Sequence, residues 1–172
     1  MIRRLDTLPM PTIALVQGAA IGGGVGLVAA CDIALAAEEA TFCLSEVKLG
    51  LIPATIGPYV IAAVGERQAR RYALTAERFD AMEAMRIGLV HEVVPAAGLA
   101  AAAERMLGAL AGNGPLALAA TKDLVRAVAG RPIDAEVMAE TARRIADIRA
   151  SDEGREGITA FLEKRKPGWV ED

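Results

Sequence analysis

The chain has 172 residues, enough for one domain with a real hydrophobic core. It is 53% hydrophobic but only 3% aromatic, and alanine carries much of the apolar share, which favours closely packed helices over a bulky sandwich core. A net charge of −3 gives no electrostatic case for nucleic acid, and Gly18, Asp32 and Pro53 interrupt every apolar run before the roughly 20 residues that a membrane span needs.

Met1-Ile2-Arg3-Arg4 is basic, but Pro9 and Pro11 arrive before any uninterrupted apolar segment, which argues against a signal peptide. Cys31 and Cys43 are too few for a disulfide framework, so a cytoplasmic protein is expected. Residues 12–17 are a short apolar run between prolines and Gly18, and read as a buried strand. Gly22-Gly23-Gly24 opens an apolar stretch to Cys31, read as a buried helix of about two turns. Asp32 ends it, and residues 33–37 read as a second buried strand, giving the β-α-β pattern of a parallel sheet. Residues 41–44 form a third short strand leading into a loop around Glu46 and Pro53.

Helices dominate after Gly57. Two are expected over 58–64 and 66–74, broken at Gly65, then a short one over 80–86 with Asp80 as N-cap and Gly88 as stop. Residues 90–94 are extended, and helices follow near 97–111, 115–128, 132–149 and 152–166. Gly112-Asn113-Gly114-Pro115 and Gly130-Arg131-Pro132 punctuate them, with proline at early helical positions.

Residues 18–24, Gly-Ala-Ala-Ile-Gly-Gly-Gly, lie between a strand and a helix. Glycines there let backbone approach a ligand, and the N–H groups of the helix that follows stabilise phosphate or a developing oxyanion. The same glycines equally permit tight helix–strand packing. Neither the Gly-Lys-Ser/Thr ending of a phosphate-binding loop nor the spacing of a dinucleotide fingerprint is present. The second feature is Ser45-Glu46-Val47-Lys48-Leu49-Gly50-Leu51-Ile52-Pro53. A glutamate in an apolar stretch past a strand end is suited to acid/base work, because desolvation favours its protonated form. The other reading of Glu46 is a surface carboxylate paired with Lys48.

Taken together, strand, Gly-rich turn, buried helix, strand and a glutamate followed by G-x-x-P resemble the signature of the crotonase (enoyl-CoA hydratase/isomerase) superfamily. The resemblance continues through Gly65-Glu66-Arg67-Gln68-Ala69, Leu74-Thr75-Ala76-Glu77-Arg78, Gly88-Leu89-Val90 and Val93-Val94-Pro95. It ends with Glu153-Gly154-Arg155-Glu156-Gly157 and the last-helix segment 160–166. It implies an α/β fold: residues 1–95 as the C-terminal part of a ββα spiral, and 96–172 as a helical region that serves trimerisation. It also implies that the N-terminal third of the domain, with the first strands and a second oxyanion N–H, precedes this segment.

The resemblance assigns Gly23 as oxyanion donor, with Ile21 and Gly22 beside it in the substrate site, and Glu46 as general acid/base. A lost oxyanion donor costs on the order of 3–4 kcal/mol of transition-state stabilisation. Phe161 and Lys164 match positions that contact CoA from a neighbouring subunit; without the resemblance, 164–166 is a solvated helix face. The partners expected are an acyl-CoA thioester and further copies of the chain, as a homotrimer or a hexamer made of two trimers. No cofactor is expected beyond the CoA of the substrate, and no metal, nucleic acid or membrane. One position departs from the two-glutamate hydratases: their first glutamate lies three residues beyond the oxyanion glycine, where this chain has Gly26. A single glutamate fits hydration through Glu46 alone, isomerisation or decarboxylation, and Gly26 also suits a non-catalytic, truncated acyl-CoA-binding or assembly subunit. Residues 26–79 look closest to a bacterial subgroup that hydrates 3-methylglutaconyl-CoA or related carboxylated branched enoyl-CoAs, with Lys48 and Arg71 as cations available to a distal carboxylate. Asp32 matches a structural aspartate of the family, while His91 and Cys43 read as structural residues.

Overall fold

The computed structural model describes residues 1–170, which fall into two compact units. One holds Met1–Leu8 and Thr12–Met106, the other Pro9–Pro11 and the chain from Leu107 onward.

The first unit winds as strand, strand, helix. Strand β1 (Ile13–Val16) turns at Gln17-Gly18 into β2 (Ala19–Ile21) and then helix α2 (Gly23–Ala30). The next turn repeats the order with β3 (Ile33–Ala37), β4 (Thr41–Cys43) and helix α3 (Gly57–Thr75). β1 pairs in parallel with β3, and β2 in parallel with β4, so the strands of each turn enter separate sheets. After α3 come β5 (Phe79–Asp80), α4 (Ala81–Arg86) and β6 (Glu92–Val94). β6 adds in parallel to β3, and β5 adds antiparallel to β4. This is a ββα spiral of the crotonase type.

β2 departs from the expected single glycine turn: residues 19–21 are extended and paired with Thr41–Cys43. A short helix α1 (Ile2–Asp6) also precedes the first strand, and Ile2 packs against the main core. That core joins the two sheets to α2 and α3 through Val25, Ala36, Phe42, Val60, Tyr72 and Phe79. The small side chains of β3 let these layers approach closely, as the alanine-rich composition leads one to expect. Asp32 ties the start of β1 to that of β3: its carboxylate accepts from the backbone N–H and the hydroxyl of Thr12, both at 2.7 Å. His91 is structural too, its Nδ1 accepting the Ala34 N–H at 3.0 Å. Cys43 is buried, and its thiol donates to the Ala76 carbonyl.

α3 is two helical pieces meeting at Gly65 (φ 76°, ψ 158°), a break at the expected residue. The second piece is fixed to α4 by a polar cluster. The buried Tyr72 hydroxyl donates to Glu83, and Arg86 donates to both oxygens of that carboxylate at 2.5 and 2.6 Å. Asp80 caps α4 as predicted, accepting the Glu83 N–H at 2.8 Å.

The second unit contains the end of α5 (Leu99–Ala111) together with α6 (Pro115–Val128), α7 (Ala135–Ala150) and α8 (Asp152–Glu163). Glu153 serves as a remote N-cap of α6, its carboxylate accepting the Leu116 and Ala117 N–H groups at 2.8 Å each. Arg144 joins α7 to α6 by pairing with Asp123 at 2.7 Å. α7 starts later than 132 because Asp134 is its cap. α8 stops at Glu163 rather than 166: Lys164 takes a left-handed conformation, and Arg165 turns back to Glu156 at 2.6 Å.

Candidate active site

Gly22 is the N-cap of α2, with φ 52° and ψ −115°. Positive φ with this ψ is open to glycine and strained for any other residue. The Gly22 N–H donates to the Cys43 carbonyl at 2.8 Å, extending the β2–β4 ladder, and its own carbonyl accepts from Val25 at 2.9 Å. Ladder and helix thus hold the peptide on both sides. The N–H of Gly23, first residue of the helix, has no acceptor among the described residues. No side chain among the described residues caps this helix, so its first turn keeps free donors with the positive end of the helix dipole behind them.

The second element of the site arrives from β4. After the buried Leu44 come Ser45 and a 3-10 turn, Glu46–Leu49, closed by Gly50 in a left-handed conformation. The register that pairs Ile21 with Cys43 carries Glu46 alongside Gly22. A Cβ on Gly22 would lie 3.1 Å from Glu46 Oε1 and 3.7 Å from Ser45 Oγ, so both side chains converge on its bare face. Glu46 Oε2 is buried and has no hydrogen-bond partner among the described residues. A buried carboxylate oxygen without a donor is costly and uncommon, and it marks a place where a ligand or water completes the bonding. No Glu46–Lys48 ion pair forms among the described residues, and Lys48 is exposed.

Gly26 lies one turn further along α2. A Cβ there would fall 2.1 Å from Cγ2 of Ile56, the buried N-cap residue of α3. The space of the family's first glutamate is therefore filled from the opposite side. Ile56 also lines an apolar hollow of about 290 Å³ with Leu44, Pro53, Val60 and Ala69, and the Arg70–Glu66 ion pair stands among its lining residues.

Of the residues expected from sequence, Gly22 and Glu46 come together, and Gly23 follows Gly22 as the first residue of α2. Ile21 lies on β2, 36% exposed, one residue before the cap. Phe161, 79% exposed on α8, and Lys164, the left-handed residue that ends it, belong to the second unit. Arg71 is engaged by Glu77 at 2.8 Å and lies over the Tyr72 ring, which makes it a structural cation. Sequence reasoning missed Ser45 and Ile56. The serine stands directly before the glutamate, and nothing linear gives the direction of its hydroxyl.

The family model for enoyl-CoA hydratase/isomerase matches residues 1–172. A crystal structure of an enoyl-CoA hydratase from Shewanella pealeana superposes with a TM-score of 0.94 at 52% identity, over 98% of this chain and 63% of that one. The Delta(3,5)-Delta(2,4)-dienoyl-CoA isomerase of Dictyostelium discoideum mitochondria is 38% identical over 95% of this chain and 56% of its own length. The 2,3-dehydroadipyl-CoA hydratase of Escherichia coli is 36% identical over 95% of this chain and 64% of its own. The chain thus spans less than two thirds of the length of each. With the fold, the Gly-rich helix start and the glutamate after β4 all in place, the chain belongs to the enoyl-CoA hydratase/isomerase family, the crotonase superfamily.

Proposed function

We propose that the protein adds water to an α,β-unsaturated acyl-CoA thioester, with Gly23 as oxyanion donor and Glu46 as general acid/base. The observation that carries this reading is the pairing of a free N–H at the start of α2 with a glutamate whose buried oxygen has no partner. Water attacks C3 of the substrate, and the electrons of the double bond move onto the thioester oxygen. The Gly23 N–H receives that negative charge, with the helix dipole behind it. Glu46 takes a proton from the attacking water and returns a proton to C2, so it ends the cycle as it began. With Gly26 bare and Ile56 in its place, a single carboxylate serves both steps.

The same site favours one further chemistry. A lone carboxylate can carry a proton between C2 and C4 of an enoyl thioester without water, which is isomerisation. The Gly26–Ile56 contact supports this second reading, as does the likeness to an isomerase.

The substrate class in this proposal is a branched or carboxylated enoyl-CoA such as 3-methylglutaconyl-CoA. Support comes from the local resemblance over residues 26–79 and from likeness to a hydratase named for a dicarboxylic acid thioester. CoA enters as part of the substrate, and no other cofactor has a part. Assembly as a homotrimer or a pair of trimers, in the cytoplasm, belongs to the same proposal. Its support is the apolar surface of the second unit, where Ile133, Phe161, Leu162 and Ile145 are 62–88% exposed. In such an assembly Phe161 and Lys164 would meet the CoA of a neighbouring subunit.

The test is loss of the thioester-conjugated double bond followed spectrophotometrically, with the product identified by mass. A product heavier by one water supports hydration, and a product of unchanged mass supports isomerisation. Side-by-side kcat/KM values for 3-methylglutaconyl-CoA and crotonyl-CoA decide the substrate class, and a clear preference for crotonyl-CoA would remove it.

A further inference from the structure

We infer that Ser45 is the residue that positions the attacking water for Glu46, in place of the second carboxylate that this site lacks. The inference rests on the hydratase reading above. Its oxygen lies 3.7 Å, and Glu46 Oε1 3.1 Å, from the point where a Cβ on Gly22 would stand, so hydroxyl and carboxylate face one small space. Among the described residues the hydroxyl has no partner of its own. It does not cap the 3-10 turn that follows it, and no other acceptor or donor engages it among the described residues. Serine beside a strand end ordinarily bonds back to nearby backbone, so a hydroxyl left unbonded beside a glutamate whose buried Oε2 has no partner among the described residues is available to a third group.

Chemistry names that group. Adding water to C3 requires the oxygen to be held while it gives one proton away, and a single carboxylate fixes only one of the water's bonds. The other fixed point cannot come from residue 26, where Ile56 occupies the space of a side chain. A hydroxyl both donates and accepts, so Ser45 can donate to the water oxygen while Glu46 takes the proton. The C3–O bond forms, the water proton passes to Glu46, a proton returns from Glu46 to C2, and Ser45 keeps its own proton throughout. Ser45 is on this account a positioning residue, and Glu46 the acid/base.

The test compares Ser45→Ala and Glu46→Gln with the parent protein in two reactions. One is hydration of 3-methylglutaconyl-CoA or crotonyl-CoA, whichever turns over faster. The other is exchange of the C2 proton of butyryl-CoA with deuterated water, which needs the carboxylate and the oxyanion donor but adds no water. Ser45→Ala should lower the hydration kcat by about tenfold with KM little changed. The same variant should leave the exchange rate within about twofold of the parent. Glu46→Gln should lower both reactions by about 10²–10⁴. Equal loss of hydration and exchange in Ser45→Ala would make the residue structural and overturn the inference, as would unchanged hydration. Exchange without any hydration in the parent protein would also overturn it while leaving Glu46 in its role. If Glu46→Gln changes neither reaction, the hydratase reading itself falls and takes this inference with it.

Discussion

Ile56 closes the space above Gly26: its Cγ2 stands 2.1 Å, and its Cβ 2.6 Å, from where a Cβ on residue 26 would be. The missing first glutamate is thus a matched pair of positions, one emptied and the other filled. Gly26→Glu alone is expected to destabilise the protein by about 3 kcal/mol or more, since it drives a side chain into a packed isoleucine. The same change combined with Ile56→Gly should recover much of that loss. Denaturant midpoints of the two variants check this, and a Gly26→Glu variant as stable as the parent would contradict the packing described.

Gly22 bears on geometry rather than volume. Gly22→Ala imposes φ 52° on a residue with a Cβ and brings that Cβ to 3.1 Å from Glu46 Oε1. The backbone strain costs about 1–3 kcal/mol, and the carboxylate must move by a few tenths of an ångström. The expected outcome is a kcat lower by about 10-fold or more with a modest loss of stability. Steady-state kinetics beside thermal melting separate the two effects. Unchanged kcat in a destabilised variant would detach Gly22 from the site.

The cluster between α3 and α4 predicts a pH dependence. Hydrogen bonds from Arg86, and then from the Tyr72 hydroxyl, hold Glu83 down from 4.5 to about 2. Burial, and then the bond to Glu83, push Tyr72 up from 10.0 to about 12. On the acid side the unfolded chain takes up a proton that folded Glu83 refuses, so this stability is present above 4.5 and is lost as pH falls towards about 2. On the alkaline side the unfolded chain releases a proton that folded Tyr72 keeps, so stability is present below 10.0 and is lost as pH rises towards about 12. Urea midpoints of Glu83→Gln should fall less steeply than those of the parent between about pH 7 and pH 3, and Tyr72→Phe should flatten the alkaline limb. Parallel acid limbs in the parent and Glu83→Gln would refute the assignment.

Much of this architecture can be read from local chemistry. Residues 12–17 and 33–37 are short apolar runs bounded by breakers, and both are strands, paired in parallel. Gly65 and Asp80 do what their residue types lead one to expect, a break and a cap. β2 is hidden because Ala19–Ile21 has only three residues, and its extended state is fixed by pairing with β4 rather than by its own pattern. The end of α8 is hidden for a similar reason. Lys164-Arg165-Lys166 are good helix formers, but the pairing of Arg165 with Glu156 and Glu163 belongs to the folded chain. In the site, residue type marks Gly23 and Glu46, since free backbone donors and an isolated glutamate carry chemistry of their own. Ser45 and Ile56 depend on register: the direction of a hydroxyl at the end of β4, and the side chain that meets α2 at Gly26.

Everything proposed for the site depends on Glu46 acting as the proton carrier, and its replacement by the isosteric amide is the most direct test. Glu46→Gln keeps the size of the side chain beside Gly22 and removes the proton-accepting oxygen. Turnover of the preferred enoyl-CoA should fall by about 10²–10⁴ in kcat, with KM and melting temperature close to those of the parent. Turnover near the parent level in a folded Glu46→Gln variant would contradict the account.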